Sequence, residues 1–348
     1  MGGNYNLYMQ VSEKKFETLK QQYAAENENC EKKMLFHVGS GAGLFSELGA
    51  MLECMCFCYA HGIAFSLYAD DANFSSQSGW TELFEPFCEM KHHPDNKKYN
   101  YRYKKYHRKK GIAVPNMLLR RYLFPDRLKR LEHVDYLTQD LFDDIVSTEF
   151  RYSEISWPLF GINGIVRDEY AKLTPLALRY NDETATEITN LVDSLNLPEH
   201  FASIQIRGGD KVQEFTDIID AEYCANLLKT KIKDIDNIFI FTDDYRNVSY
   251  IKKNYPEWNV FTLTRQDECG YYNEKFNALP WEKRRKDIIK LLAIVEICVR
   301  SDHHIGCNGA CVNNYIRSCR IGRKYNEYTI GNRRTKKGID KIKRILGI

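Results

Sequence analysis

Short apolar runs that stop at glycine or polar residues and then lead into helical segments constrain the fold of this chain most strongly. Residues 34–38 (MLFHV) stop at the glycine-rich turn GSGAG, and residues 238–241 (IFIF) stop at a Thr-Asp-Asp cluster. Residues 303–307 (HHIGC) repeat the pattern before another glycine-containing turn. Strands that alternate with helices in this way are typical of a parallel sheet. The sequence therefore predicts an α/β fold with doubly wound, Rossmann-like lobes.

The length of the chain favours two domains, because 348 residues are more than one hydrophobic core usually organises. We expect an N-terminal lobe over residues 1–175, a C-terminal lobe over residues 176–322 and a basic tail over residues 323–348. The composition, 43% hydrophobic and 28% charged, is that of a soluble globular protein. No apolar run reaches the roughly 20 residues that span a bilayer, and the first residues lack the apolar core of a signal peptide. We therefore expect a cytoplasmic protein.

The cysteines are eleven in number, and their spacing forms no disulfide framework. An odd count without such a framework indicates free thiols and a reducing compartment. Cys54, Cys56 and Cys58 crowd one helical segment, but a metal site would need clearer pairs of close ligands. We therefore expect small buried side chains at these positions and no metal.

A basic and aromatic segment covers residues 96–111, where Tyr99, Tyr101, Tyr103 and Tyr106 are interleaved with Lys and Arg. Such a mixture stacks bases and neutralises phosphates in nucleic-acid-binding proteins. It equally describes a solvated loop beside a sugar site, where tyrosine rings pack on sugar faces. The net charge of +3 gives no support to nucleic acid, so we favour the loop and expect no nucleic-acid partner.

The stretch IQIRGGDK, residues 204–211, carries the main candidate binding site. Arg207 directly follows a predicted strand, at the edge where parallel sheets bind ligands. Its guanidinium matches two oxygens of a phosphate, and Gly208 and Gly209 let backbone amides approach the same anion. The alternative is a surface turn in which Arg207 only pairs with Asp210.

The glycine-rich turn with Gly39, Gly41 and Gly43 is a second candidate for phosphate binding. It opens a predicted helix, and a helix N-terminus presents amide groups to anions. The turn lacks the spacing of the dinucleotide fingerprint and the lysine of a P-loop, so alone it is weak support.

Five segments follow one another in an order that is specific as a set. They are HVGSGAG, GWTELFEPF, QIRGGDKV, FTDDYRNVSYIKKNYPEW and SDHHIGCNGACVNN. Taken together they resemble the motifs of the α1,6-fucosyltransferase family, which includes the enzyme that fucosylates the N-glycan core and the rhizobial nodulation-factor fucosyltransferases. The resemblance runs from about residue 34 to residue 316.

The resemblance implies a GT-B-like glycosyltransferase with an acceptor-side N-terminal lobe and a nucleotide-sugar-binding C-terminal lobe. It implies transfer of L-fucose from GDP-fucose to a glycan or glycoconjugate hydroxyl, with inversion and without a cofactor or metal. It also implies that Arg207 and Lys211 stabilise the departing diphosphate and that Glu214, or else Asp210, is the catalytic base. The implied donor-binding residues are Gly39, Gly41, Gly43, Gln205, Arg207, Thr242, Asp243, Asp244, Glu296, Asn308, Gly309, Ala310 and Cys311.

The chain departs from the family pattern at three places. Gln205 replaces a histidine, and Gly309 and Ala310 replace a pair of serines. The family's guanine-reading aspartate aligns with Ile294, although Glu296 is close in sequence. These departures leave open a transferase that uses another GDP-sugar, or a non-catalytic module that binds glycan or nucleic acid.

Overall fold

The computed structural model describes residues 7–76, 78–102, 123–209, 220–232, 235–307, 310–321 and 326–330. The chain folds into two compact units. One consists of Met9–Ala185, and the other of Met1–Tyr8 with Thr186–Ile348. We call them the N-terminal and C-terminal units. Most of the basic and aromatic segment, from residue 103 onward, lies outside the described residues.

The N-terminal unit is built on a four-stranded parallel sheet with the order β3-β2-β1-β4. The two central strands are buried except at Lys32 and Lys33, and they pair in register from Lys32 with Ile63 to His37 with Tyr68. The strands are β1 Lys32–His37, β2 Ile63–Tyr68, β3 Glu89–Met90 and β4 Tyr136–Leu137.

Helices cover this sheet, and the two longest differ in how much of their surface is buried. The first has an amphipathic sequence and is capped at its N-terminus by Ser12, whose hydroxyl accepts a hydrogen bond from the amide of Lys15. The second is apolar nearly all round and is buried over most of its length. The α-helices of this unit are α1 Glu13–Glu28, α2 Leu44–Ala60, α3 Asn96–Tyr99, α4 Phe124–Glu132, α5 Thr138–Ile145, α6 Thr148–Arg151, α7 Val166–Glu169 and α8 Thr174–Ala177.

Two segments of this unit have sequences that predict a helix, but they form other structures. Residues 161–179 do not form one helix: Gly161 takes a positive φ of 63° and ends a turn between two antiparallel strands, β5 Glu154–Trp157 and β6 Ile162–Ile165. The segment GWTELFEPF forms only the 3₁₀ turn Gly79–Glu82. Its continuation is extended because its backbone pairs with residues 179–181 instead of with itself.

The C-terminal unit is built on a five-stranded parallel sheet with the order β11-β10-β7-β8-β9. Part of the predicted basic tail, Asn326–Ile330, forms the last strand and pairs with the strand His303–Cys307. These parallel sheets with helical connections confirm the predicted α/β class. The strands are β7 Ala202–Ile206, β8 Asn237–Thr242, β9 Asn259–Phe261, β10 His303–Cys307 and β11 Asn326–Ile330.

The helices of this part of the chain include two that pack directly on the sheet. The helix that begins this part of the chain is capped by Asn181, whose Oδ1 accepts a 2.9 Å hydrogen bond from the amide of Thr184. The apolar faces of two others pack with the sheet into one core around Ile204 and Ile240. The helices are α9 Asp182–Ser194, α10 Ala221–Lys231, α11 Tyr245–Asn254, α12 Asn273–Asn277, α13 Trp281–Arg300 and α14 Cys311–Arg320.

A fully buried histidine, His304, lies in β10 within a polar chain. Ser203 Oγ donates to its Nδ1 at 2.8 Å, and its Nε2 donates to Asn313 Oδ1 at 3.0 Å. Burial lowers the pKa of His304 from 6.5 to about 3, because the charged ring would lose its hydration. The folded protein therefore holds this ring neutral.

Acidification should destabilise the C-terminal unit through His304. Between pH 6.5 and about 3 the unfolded chain binds a proton at this ring and the folded chain does not, so the free energy of unfolding falls as pH falls. We expect His304→Gln to remove up to about 1.4 kcal/mol of this loss per pH unit. Urea unfolding at several pH values tests this expectation. Equal slopes in wild type and variant would contradict it.

Candidate anion-binding site

The strand order defines where a ligand would bind in the C-terminal unit. The chain enters this sheet at β7, continues outward through β8 and β9, and then returns to the other side of β7 with β10. Open parallel sheets of this kind bind ligands outside the carboxyl ends of the strands, at the point where the order reverses. Arg207 follows β7 and Asp243 follows β8, so both lie at this edge.

The carboxylate of Asp243 organises this edge. Arg207 Nη1 donates to Asp243 Oδ2, and the amide of Gly208 donates to Oδ1 at 2.8 Å. The amide of Tyr271 also donates to Oδ2, at 3.0 Å, and the amide of Gly270 donates to the carbonyl of Asp243 at 2.6 Å. Asp243 therefore joins the loop after β7 to the loop after β9.

The Arg207 guanidinium is held on two sides. It pairs with Asp243, and its carbon Cζ lies 5.0 Å from the centre of the Tyr271 ring, a cation–π contact. Both side chains of the ion pair are mostly buried, with 15% of Arg207 and 13% of Asp243 exposed. The sequence pattern indicated Arg207 and Asp243 separately, but it gave no signal for Tyr271, which lies outside the five motifs.

The close approach of the two loops requires glycine at position 209. Gly209 has a φ of 57°, and a Cβ there would lie 2.1 Å from the carbonyl oxygen of Tyr271. The positive φ would strain any residue other than glycine. The added Cβ would also collide with backbone atoms of Tyr271, which cannot turn away as a flexible side chain could.

Gly209→Ala should therefore cost more stability than a glycine replacement that meets only the backbone strain. Gly161→Ala is the matched control, because φ is 63° there and nothing lies within 4 Å of the added Cβ. We expect about 1–2 kcal/mol for Gly161→Ala and a larger loss for Gly209→Ala, since the Tyr271 loop must move. Urea unfolding measures both losses. Equal losses would show that the two loops do not constrain each other.

The other residues of the Thr-Asp-Asp cluster support the backbone. Thr242 is buried, and its Oγ1 accepts hydrogen bonds from the amide of Asp244 at 3.2 Å and from Asn247 Nδ2 at 3.0 Å. Asp244 caps α11 by accepting from the amide of Arg246 at 2.9 Å. Side-chain hydrogen bonds from Arg246 hold the pKa of Asp244 below its usual value. Of this cluster, Asp243 alone pairs with Arg207 among the described residues.

The remaining predicted donor-binding residues fall in different surroundings. Gln205 is buried in β7, and Ala310 is the buried residue before α14, whose first residue Cys311 is exposed. Glu296 is buried in the middle of α13 and accepts a 2.5 Å hydrogen bond from the amide of Tyr8. Five predicted site residues lie outside the described residues, namely Asp210, Lys211, Glu214, Asn308 and Gly309.

The amide groups of the glycine-rich turn in the N-terminal unit donate hydrogen bonds to a carboxylate of the chain itself. Glu47, in the first turn of α2, is fully buried and accepts from the amides of Gly39 at 3.3 Å and Ala42 at 3.1 Å. It also accepts from Ser40 Oγ and pairs with Arg102, whose side chain is 3% exposed. Glu47 thus occupies the amide groups that a phosphate would need, and the sequence reasoning missed it.

The glycines of this turn have packing and conformational roles. A Cβ at Gly39 would lie 2.5 Å from His37 Nε2 and 2.6 Å from Asp71 Oδ1, two atoms that themselves are 2.7 Å apart. Gly41 has a φ of 75°, and Gly43 is the residue before α2. The turn packs over the His37–Asp71 pair, and two of its amide groups are already bonded to Glu47.

The described residues include no group of three or more His, Cys, Asp or Glu side chains arranged to hold a metal ion. Within the same part of the chain, no helix is both long enough and apolar enough to cross a membrane.

Comparison with known proteins finds similarity among solved structures. No protein-family model and no curated protein matches the chain. The fucosyltransferase NodZ from Bradyrhizobium is similar with 11% identity, 82% of this chain and 92% of that chain covered, and a TM-score of 0.49. An Arabidopsis thaliana FUT1 mutant in complex with GDP shows 10% identity, with 94% of this chain and 80% of that chain covered, and a TM-score of 0.49. POFUT1 in complex with GDP shows 9% identity, with 86% of this chain and 99% of that chain covered, and a TM-score of 0.45.

Proposed function

We propose that this chain is an inverting, metal-independent glycosyltransferase that transfers L-fucose from GDP-fucose to a glycan hydroxyl. The observation that carries the proposal is the Arg207–Asp243 pair at the carboxyl edge of β7 and β8. GDP-fucose as the donor comes from the motif resemblance, above all from QIRGGDKV and FTDD. The α1,6 linkage is carried over from the family alone, because the attacking hydroxyl depends on how the acceptor binds and not on the donor motifs. An arginine at the carboxyl edge of a parallel sheet is the chemistry that a nucleoside diphosphate requires.

The proposed role of Arg207 is to stabilise the leaving diphosphate. Negative charge grows on the β-phosphate as the bond to the sugar breaks, and a preorganised cation lowers the energy of that state. A guanidinium is a fork of five N–H donors, so its geometry suits a carboxylate on one side and phosphate oxygens on the other. Asp243 is then a positioning residue: it fixes the direction of the guanidinium before the nucleotide binds. Lys211 would add a second positive charge.

In an inverting transfer, the acceptor hydroxyl attacks the sugar from the face opposite the leaving diphosphate. This step requires a base that removes the proton of that hydroxyl. A carboxylate within hydrogen-bond reach of that hydroxyl performs this step. We propose Glu214 for this role, with Asp210 as the alternative. Replacing each by its amide separates them, because only the true base should lower kcat while leaving the binding of GDP unchanged.

Titration calorimetry with GDP and UDP tests the choice of nucleotide. We expect GDP to bind more tightly than UDP, and we expect a chelator to leave turnover of GDP-fucose unchanged. Equal binding of the two nucleotides would remove the guanine assignment, and tighter binding of GDP-mannose than of GDP-fucose would point to another GDP-sugar. Binding of a glycan without any release of GDP would identify a non-catalytic module.

A further inference from the structure

Three sulfur atoms meet in the core of the N-terminal unit. Cys54 Sγ lies 3.5 Å from Met34 Sδ, Cys58 Sγ lies 3.8 Å from the same atom, and the two thiols are 3.9 Å apart. Cys54 and Cys58 are one turn apart on α2, and Met34 projects from β1 beneath them. We call these three residues the sulfur triangle. All three are buried.

The size of the sulfur triangle fits a metal ion at its centre. An ion at the same distance from all three sulfur atoms would lie at nearly the bond length between a thiolate and a d¹⁰ ion, which is roughly 2.3 Å. Two thiolates and one thioether are soft ligands, and soft ligands select Cu(I). We propose that the sulfur triangle is a binding site for Cu(I), separate from the transferase site of the C-terminal unit.

A cavity gives an ion a route to the sulfur triangle. It has a volume of about 280 Å³, and Cys58 forms part of its lining. Cys30 and Met55 line the same cavity, and the exposed residues Asn29 and Gly62 bring it to the surface. Cu(I) is a soft ion that sulfur ligands select, and the half-buried thiol of Cys30 offers such a ligand on this route.

Binding must displace protons from the two thiols. One Cu(I) bound by two thiolates and the Met34 thioether releases two protons and leaves the site with one negative charge. No electron is transferred in this step, because the copper arrives and stays as Cu(I).

Anaerobic titration of the full chain with Cu(I), against the coloured chelator bicinchoninate, tests the proposal. Cys269 and Cys311, the exposed thiols among the described residues, are first replaced by serine so that they do not contribute surface binding. We expect one Cu(I) per chain to be withheld from the chelator, and X-ray absorption to report three sulfur neighbours. Copper taken entirely by the chelator would overturn the proposal.

Variants of the sulfur triangle identify the ligands. Met34→Leu preserves volume and removes the thioether, so we expect weaker binding and two sulfur neighbours instead of three. Cys58→Ala should weaken Cu(I) binding by roughly 100-fold or more, because it removes a direct ligand and the loss of an outer-shell partner alone can cost that much. Cys56→Ala is the matched control, because Cys56 is equally buried on α2 and contributes no sulfur to the triangle. Equal affinity in the Cys58 and Cys56 variants would overturn the assignment. Circular dichroism establishes that each variant is folded.

Discussion

Arg207→Ala is expected to reduce the turnover of GDP-fucose by about 10²–10³-fold, the usual cost of removing a preorganised partner of a developing negative charge. The loss should appear mainly in kcat, because the charge is greatest in the transition state. Arg207→Lys should recover only part of it, since an ammonium cannot reproduce the planar fork that pairs with Asp243. Steady-state release of GDP with a glycan acceptor measures the effect.

Lys229→Ala is the control for this experiment. Lys229 also pairs with a carboxylate, Glu257 at 2.5 Å, but on α10 and with nearly half of its side chain exposed. We expect turnover within about twofold of wild type, because an exposed ion pair contributes little. Turnover of Arg207→Ala close to that of Lys229→Ala would exclude Arg207 from the reaction and with it the proposed transferase site.

Glu47→Ala should cause the largest loss of stability, about 3–5 kcal/mol, because it leaves the Arg102 guanidinium buried without its partner. The same change removes the acceptor for the amides of Gly39 and Ala42. The free energy of unfolding, from a urea titration that follows the N-terminal unit, measures the loss.

Two further variants give this prediction its controls. Glu89→Ala breaks a more exposed ion pair of the same unit, with Lys91, and should cost at most about 1 kcal/mol. The double change Glu47→Leu with Arg102→Met should restore part of the stability, because apolar side chains replace a buried ion pair at little cost. If the double variant were less stable than Glu47→Ala, the loss would come from the glycine-rich turn and not from the unpaired charge.

Local sequence patterns predicted the elements of the fold well because strands and helices are encoded by neighbouring residues. The apolar run before GSGAG is β1, and the run before Thr242 is β8. The failures occur where distant residues decide the local structure. The segment after Gly79 is extended because it pairs with residues near Tyr180, about a hundred positions away.

The candidate site was predictable only in part for the same reason. QIRGG indicated Arg207 as an anion ligand, but its partner Asp243 is 36 positions further along the chain, and Tyr271 is further still. The GSGAG turn has the composition of a phosphate loop, yet a carboxylate from α2 fills it. The sequence of a loop shows which hydrogen-bond donors it contains. Only the folded structure shows whether another residue of the chain already accepts those hydrogen bonds.

Strand β11 has a practical consequence for anyone who shortens this protein. It forms one outer edge of the C-terminal sheet and pairs along the whole length of β10, from His303 to Cys307. A chain cut after Ile321 would expose a row of unsatisfied backbone groups on β10, and such an edge recruits strands from other molecules. Truncated versions should therefore self-associate unless they retain residues through Ile330.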